Sequence, residues 1–291
     1  MSTFPPLTWG RWRLDWGRRT YVMGIINVTP DSFSGDGVLS AEPERGEVPA
    51  RVLEQARAFV AEGAQLIDVG GESTRPGFAP LPQEEELRRV LPVIQHLATN
   101  LPPEVIISID TYKAEVARRA LEAGASMIND IWGLQRDPEM AALVAERGVP
   151  VVIMANMRET ARHEIVSDVV RFLARSIDLA LAAGVAWEKL IIDPGIGFGT
   201  TAEENLILLR RLGELRALGR PILLGTSRKR TIGLVLGNLP PEERVEGTAA
   251  TVALGIAQGA DIVRVHDVRE IMRGVKMSDA IMRSTFQQSE V

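Results

Sequence analysis

The sequence predicts a closed (β/α)8 barrel preceded by a short N-terminal β-hairpin. Eight apolar, strand-like runs alternate with eight amphipathic helical patterns along 291 residues, the repeat and the length that such a barrel needs. No Gly-x-Gly-x-x-Gly follows the first run, and no break in composition divides the chain. An open doubly wound sheet is therefore the runner-up. The domain plan is residues 1–20 as a hairpin packed on the barrel and residues 21–291 as one (β/α)8 domain.

Trp9 to Gly17 alternates bulky and polar residues around short turns, which predicts the hairpin, with its tryptophans capping a core. The eight strand-like runs are Tyr21–Ile26, Gln65–Val69, Val105–Ile109, Ser126–Ile128, Pro150–Met154, Leu190–Ile192, Pro221–Leu224 and Asp261–Val265. Near-continuous apolar runs are what strands buried on both faces require. The helical patterns are Pro49–Glu62, Gln83–Leu97, Lys113–Ala123, Asp137–Glu146, Val166–Ala183, Ala202–Leu212, Pro241–Gln258 and Val268–Met282. In each, apolar residues recur at intervals of three and four. Gly63, Gly124, Gly148, Gly184 and Gly259 sit where left-handed caps belong. The stretches Ser32–Pro49 and Arg75–Pro82 are rich in Gly, Pro, Ser and Glu and read as active-site loops.

Composition removes several function classes. The net charge of −5 gives no footing for nucleic acid or an anionic membrane. There are no cysteines, which rules out disulfides, thiolate metal sites and cysteine nucleophiles. No run approaches the ~20 apolar residues of a spanning helix, and the N-terminus lacks the pattern of a signal peptide. The expected compartment is the cytoplasm.

In a (β/α)8 barrel the strand C-termini open onto one face, where sites are built. The first run delivers Asn27 and Thr29 there, and the second and third deliver Asp68 and Asp110. The fourth gives Asn129 and Asp130, the fifth Asn156 and the sixth Asp193. The seventh gives Thr226, Ser227, Arg228 and Lys229, and the eighth Arg264, His266 and Asp267. One arc of carboxylates and amides suits a ligand rich in N–H donors; the other suits a polyanion. A heterocycle carrying a phosphate ester would match both. In Asp193 to Gly199 three glycines alternate, so the backbone can approach a ligand and Phe198 can lie over a flat ring. Each carboxylate taken alone has a structural reading as a salt bridge or cap. Three histidines, His96, His163 and His266, make no metal-ligand set.

These blocks identify a family. From Tyr21 to about Met282 the chain resembles dihydropteroate synthase. The matching blocks are Gly24 to Phe33, Ile67 to Gly77, Ser108 to Thr111, Ile128 to Asp130, Asp193 to Gly199, Ser227 to Lys229 and Arg264 to Asp267. The resemblance implies a (β/α)8 homodimer that condenses 6-hydroxymethyl-7,8-dihydropterin diphosphate with 4-aminobenzoate. The products are 7,8-dihydropteroate and diphosphate. By the family pattern, Asp110, Asn129, Asp193 and Lys229 hold the pterin, and Asp68 lies among the substrate-binding residues. Asn27, Arg75, Arg264 and His266 hold the diphosphate. Asn27 also touches Mg2+, with Asp36 a second candidate ligand. Thr74, Arg75, Pro76, Phe198, Ser227 and Lys229 shape the aminobenzoate site. Asp110, Lys229, Arg264 and His266 are the expected catalytic residues of a dissociative substitution, and sulfonamides, as mimics of aminobenzoate, are expected inhibitors.

Three departures stand out. Ser32-Phe-Ser-Gly-Asp-Gly37 displaces the loop Asp to Asp36. Met154-Ala-Asn-Met157 places Asn156 where many members have His, and Thr200 replaces a frequent Lys. The displaced Asp and the missing His keep a non-catalytic pterin-binding paralogue open, and a pterin-binding methyltransferase domain on the same barrel is the other alternative. The basic residues at the last two strand ends argue against the methyltransferase, whose methyl-folate carries no diphosphate.

Overall fold

A computed structural model of the chain describes residues 4–28, 47–72 and 80–283. Thr29, Asp36, Thr74, Arg75 and Pro76 lie outside the described residues. Strands β1 (Leu7–Trp9) and β2 (Trp12–Leu14) form the predicted hairpin, paired antiparallel around Gly10. Then β3 (Tyr21–Asn27), α1 (Glu47–Ala61), β4 (Leu66–Gly70), α2 (Gln83–Asn100), β5 (Ile106–Asp110) and α3 (Ala114–Glu122) follow. The chain continues through β6 (Met127–Asp130), α4 (Met140–Arg147), β7 (Val151–Met154), α5 (Ile165–Ala182), β8 (Leu190–Asp193) and α6 (Ala202–Arg210). It ends with β9 (Leu223–Leu224), α7 (Arg230–Val235), α8 (Val245–Ala257), β10 (Ile262–Val265) and α9 (Val268–Arg283).

The eight strands from β3 to β10 pair in parallel, with β10 lying between β9 and β3. The seam between β8 and β9 is a single bridge, Ile192 to Ile222. Pro221 has no N–H for the ladder, so β9 shrinks to two residues. The predicted barrel is the observed fold. Most strands reach a residue or two beyond the apolar runs: Asp110, Asp130 and Asp193 end their strands inside the ladder. The short helix α7 has no counterpart in the predicted elements. Gly233 interrupts it, and six residues are too few to display a helical period.

Alternation sorts side chains to two sides of the barrel wall. Val22, Ile67, Ile107, Ile128, Ile153, Ile192, Leu224 and Val263 face outward into the layer shared with the helices. Tyr21, Met23, Leu66, Ile106, Met127, Val152, Ile191, Leu223 and Ile262 face inward, where Leu7, Trp9, Leu14 and Trp16 of the hairpin region pack against them. The hairpin thus plugs the N-terminal mouth. Its indoles are satisfied: Trp9 Nε1 donates to the Ser126 carbonyl at 2.8 Å and Trp12 Nε1 to that of Val105 at 3.3 Å. No described helix is long and apolar enough to cross a membrane.

Candidate active site

Further along five of the strands the inward positions turn polar, two residues beyond the apolar layer on β4, β6, β8 and β10 and four residues beyond it on β5, past Ser108. Asp68, Asp110, Asn129, Asp193 and Arg264 occupy them on β4, β5, β6, β8 and β10. Arg264 crosses the mouth. Its Nε donates to Asp68 Oδ2 at 2.6 Å and a terminal nitrogen donates to Asp110 Oδ2 at 2.7 Å. Asn129 Nδ2 donates to the same Asp68 oxygen at 2.9 Å. Asp68 Oδ1 is buried with no hydrogen-bond partner among the described residues. The two arcs read from the sequence therefore touch: a cation from the last strand is already seated between carboxylates of the second and third.

Burial sets the protonation of this layer. It raises the Asp110 carboxyl to about 7, with Arg264 pulling the other way. It raises Asp193 to about 6, against the pull of the Gly195 N–H and Lys229. Lys229 is lowered to about 8 by burial and by Arg264, although Asp193 opposes this. Burial also works to lower Arg264, but Asp68 and Asp110 outweigh it and hold the guanidinium charged.

The loop after β8 wraps the ligand face. Asp193 Oδ1 accepts the Gly195 N–H at 2.7 Å. Gly195 has φ +72, and a Cβ there would stand 1.8 Å from the Ala155 carbonyl oxygen, so glycine is obligatory. Phe198 packs with Ile131, Met154, Tyr112 and Trp132. Lys229 Nζ lies 4.2 Å from the Phe198 ring centroid, and the Arg158 guanidinium lies 5.0 Å from it. A cation over the ring is a favourable pairing, and it fixes the flat face that the sequence predicted.

At the end of β10, Ser227 Oγ accepts the His266 backbone N–H at 3.0 Å and lies 3.0 Å from His266 Nδ1. A hydroxyl that accepts one proton and gives its own to Nδ1 leaves the ring proton on Nε2. Burial, together with Arg264 and Arg228, lowers His266 to about 3. It is a neutral hydrogen-bond donor, not the cation that the sequence suggested. Arg228 also leaves the basic cluster, because its guanidinium is bonded on two nitrogens to Asp267. Its backbone takes φ +56, held by Thr248 Oγ1 on its N–H and by Arg244 on its carbonyl.

The structure brings Asn27, Asp68, Asp110, Asn129, Asp193, Phe198, Ser227, Lys229, Arg264 and His266 to one mouth. It removes others from it. Asp130 turns outward and accepts the N–H groups of Trp132 and Leu134, both at 2.8 Å. Thr226 Oγ1 accepts from Thr251. Asn156 braces the Ile131 carbonyl and the Arg158 N–H, and His96 is half-buried on α2, away from the strand ends. A buried network joins Lys113 to Glu72 and Glu86, each at 2.5 Å, beside Tyr112. Sequence reading missed it, since Lys113 and Glu86 stand in helix starts that look solvated.

Comparison with known proteins identifies the family and the fold. The model for the pterin binding enzyme family matches residues 23–266. The dihydropteroate synthase of Bacillus subtilis (strain 168) is 49% identical over 269 residues, 92% of this chain and 91% of that protein. The chain belongs to the dihydropteroate synthase family of pterin binding enzymes. Solved members share the fold. The family's structure from Clostridium difficile, determined in the presence of pteroic acid, superposes with a TM-score of 0.87 at 48% identity. It covers 93% of this chain and 99% of that one. The enzyme of Xanthomonas albilineans with 4-aminobenzoic acid gives 0.83 at 42% identity, over 90% and 93% of the two chains.

Proposed function

We infer that the chain is a dihydropteroate synthase, condensing 6-hydroxymethyl-7,8-dihydropterin diphosphate with 4-aminobenzoate to give 7,8-dihydropteroate and diphosphate. The observation that carries this is the inward polar layer at the C-terminal mouth, with Phe198 and Lys229 stacked at its rim. Asp193 keeps one oxygen on the Gly195 N–H, and the other is oriented to accept N–H donors of the pterin. The Asn129 carbonyl oxygen takes a further ring N–H, and Lys229 donates to the pterin carbonyl. These contacts discriminate strongly, because a ligand lacking the donors would leave buried acceptors unpaired.

Reaction begins as the C–O bond between the pterin methylene and the diphosphate breaks, the electron pair leaving with diphosphate. Arg264 and the Nε2–H of His266 donate to the leaving oxygens, where negative charge grows. Fixing Arg264 on Asp68 and Asp110 pre-pays its orientation. The Asp110 carboxylate steadies the delocalised pterin cation. The arylamine nitrogen, neutral near pH 7, then forms the C–N bond and gives up one proton to solvent. Phe198, Ser227 and Lys229 set its approach, with Thr74, Arg75 and Pro76 as further proposed contacts.

The donor chemistry at the mouth fits Mg2+. Asn27 ends β3 with a half-buried carboxamide, one hard oxygen of the kind this ion takes when phosphate and water supply the rest. Asp36 is proposed as a second ligand. Mg2+, when bound, adds charge stabilisation to the departing diphosphate. Among the described residues no cluster of three or more His, Asp or Glu is placed to hold a metal, so the site proposed is one that the substrate completes. We also propose a homodimer in the cytoplasm, formed through exposed Leu234, Val235 and Leu236 after β9, Leu254 on α8, and Met277, Ile281 and Met282 on α9.

The deciding experiment is diphosphate release from the dihydropterin diphosphate, with and without 4-aminobenzoate and Mg2+. Dihydropteroate formed only when all are present supports the reading. Pterin binding with no diphosphate release in any mixture would replace it with a binding paralogue. Positional isotope exchange in the diphosphate without aminobenzoate tests the dissociative order.

A further inference from the structure

Asn205 stands on α6, behind the glycine-rich loop and outside the ring of strand ends, yet its side chain is buried. Its Oδ1 accepts the Gly197 N–H at 2.9 Å and the Thr200 hydroxyl at 2.7 Å, and its Nδ2 donates to the Thr231 hydroxyl at 2.9 Å. The Gly197 N–H is shared with Thr200 Oγ1 at 3.2 Å. Gly197 adjoins Phe198, and Thr231 lies two residues beyond Lys229. One amide therefore ties the segment carrying Phe198 to the segment carrying Lys229.

The barrel itself does little to fix that distance. The two segments leave β8 and β9, whose backbone pairing among the described residues is the single Ile192–Ile222 bridge. The separation of Phe198 and Lys229 must be set above the barrel wall. Gly197 is drawn so close that a Cβ on it would stand 3.3 Å from Lys229 Cδ. Nor is Asn205 needed to start its helix, since Thr201 and Glu204 already form a capping box there. By contrast, Asp193 and Asp110 end strands that the parallel ladder holds.

We propose that Asn205 is a positioning residue, which sets the Phe198–Lys229 face and thereby the affinity for the arylamine substrate. The proposal rests on the function inferred above. Thr200, the departure from a frequent family Lys, works in the same network. Loss of the amide would loosen the Phe198 loop, which keeps the Met157 N–H on its Phe198 carbonyl, while the pterin end stays on the strand-held carboxylates and on Lys229, whose own segment Thr248 and Arg244 still hold at Arg228. The expected signature is a split between the two substrates.

The test compares steady-state kinetics of the full chain with those of Asn205→Leu, Thr231→Val and Leu208→Ala, each normalised to folded protein. Asn205→Leu keeps volume and removes all three bonds. The KM for 4-aminobenzoate should rise about tenfold or more, as expected when a substrate contact is misplaced by a fraction of an ångström to an ångström. The KM for the pterin diphosphate should move less than about threefold. Thr231→Val, which removes one of the bonds, should shift the aminobenzoate KM in the same direction by about threefold. It also decides the matter if the Leu variant does not fold. Leu208→Ala, a buried apolar truncation on the same helix, should lower the melting temperature and leave both KM values in place. Unchanged KM values in the amide and hydroxyl variants, or equal rises for both substrates, would overturn the proposal. A wild-type chain that makes no dihydropteroate would instead sink the functional reading.

Discussion

The two mouths of the barrel are built from the same inward-facing strand positions and filled with opposite chemistry. At the N-terminal mouth Tyr21, Leu66, Ile106, Met127, Val152, Ile191, Leu223 and Ile262 close against Leu7, Trp9, Leu14 and Trp16. At the other, Asp68, Asp110, Asn129, Asp193 and Arg264 face one another with charges in a buried layer. One end stabilises by removing apolar area from water, at roughly 1.5–3 kcal/mol per large side chain. The other costs stability, because desolvated carboxylates are only partly repaid by their partners. On the function proposed above, the polar end persists because it is complementary to a ligand. Breaking each mouth should therefore give opposite phenotypes.

The largest effect is expected at the polar mouth. Asp193→Asn keeps the shape but replaces an acceptor with an amide that presents N–H to the pterin's own donors. The value of kcat/KM should fall about 10³–10⁴-fold. Denaturation midpoints should stay level or rise, since a buried charge has been removed. A variant that loses activity and stability together would mean that Asp193 braces the glycine-rich loop more than it reads a ligand.

The mirror-image experiment is Trp9→Ala. Truncating this buried indole removes its packing and its bond to the Ser126 carbonyl. Stability should drop by about 3–5 kcal/mol, read from urea or guanidinium midpoints. The kcat per folded molecule, well below the melting temperature, should stay within about twofold. A large loss of kcat in the folded fraction would show that the plug shapes the distant mouth.

The contrast between the mouths explains what the sequence made visible. The barrel was legible because runs such as Ile106–Ile109 and Ile262–Val265 are apolar on both faces and alternate with amphipathic helices. The glycine pattern of Asp193 to Gly199 announced a close approach to ligand and Phe198 with it, and the strand-end rule gathered the other nine candidate site residues at the mouth. The same continuous runs hide which face points inward, so the seating of Arg264 between Asp68 and Asp110 was not legible. Charge state escaped as well. His266 reads as a cation beside Arg264 until burial and Ser227 make it neutral, and Arg228 reads as a phosphate ligand until Asp267 claims it. Asn205 looked like an ordinary helix residue because its three partners are distant in sequence or lie across a loop.

A smaller effect follows from the carboxyls of the polar mouth. Asp110 and Asp193 are raised by burial to about 7 and about 6, above the ordinary value of roughly 3.9 in an unfolded chain. Between about pH 5 and 7 these two carboxyls bind more protons in the native state than in the unfolded one and lower stability as pH rises, while His266, lowered to about 3, works the other way through the ordinary histidine value of roughly 6.5 and offsets part of that fall. The loss should be on the order of 2 kcal/mol. Carboxyls held low, such as Glu164 at about 2 on the Ser167 N–H, have the opposite slope, but only below about pH 4.5. Urea midpoints for wild type and Asp110→Asn across pH 5–7 check the sign. The slope should flatten in the variant, and a wild-type midpoint that climbs with pH would refute the assignment.

The smallest effect belongs to the level where the chemistry changes. Ser108 follows Ile106 and precedes Asp110 on the inward side of β5, between the apolar and polar layers. Its hydroxyl is buried and has no hydrogen-bond partner among the described residues. An unpaired buried hydroxyl costs about 1–3 kcal/mol, so Ser108→Ala should stabilise the fold by up to about 1 kcal/mol after the loss of packing volume. It should also leave kcat and both KM values unchanged. Destabilisation of about 1 kcal/mol or more would place this hydroxyl with the polar mouth, satisfied through solvent reaching down past Asp68. The boundary between the two halves of the barrel would then lie one layer lower, between Ile106 and Ser108.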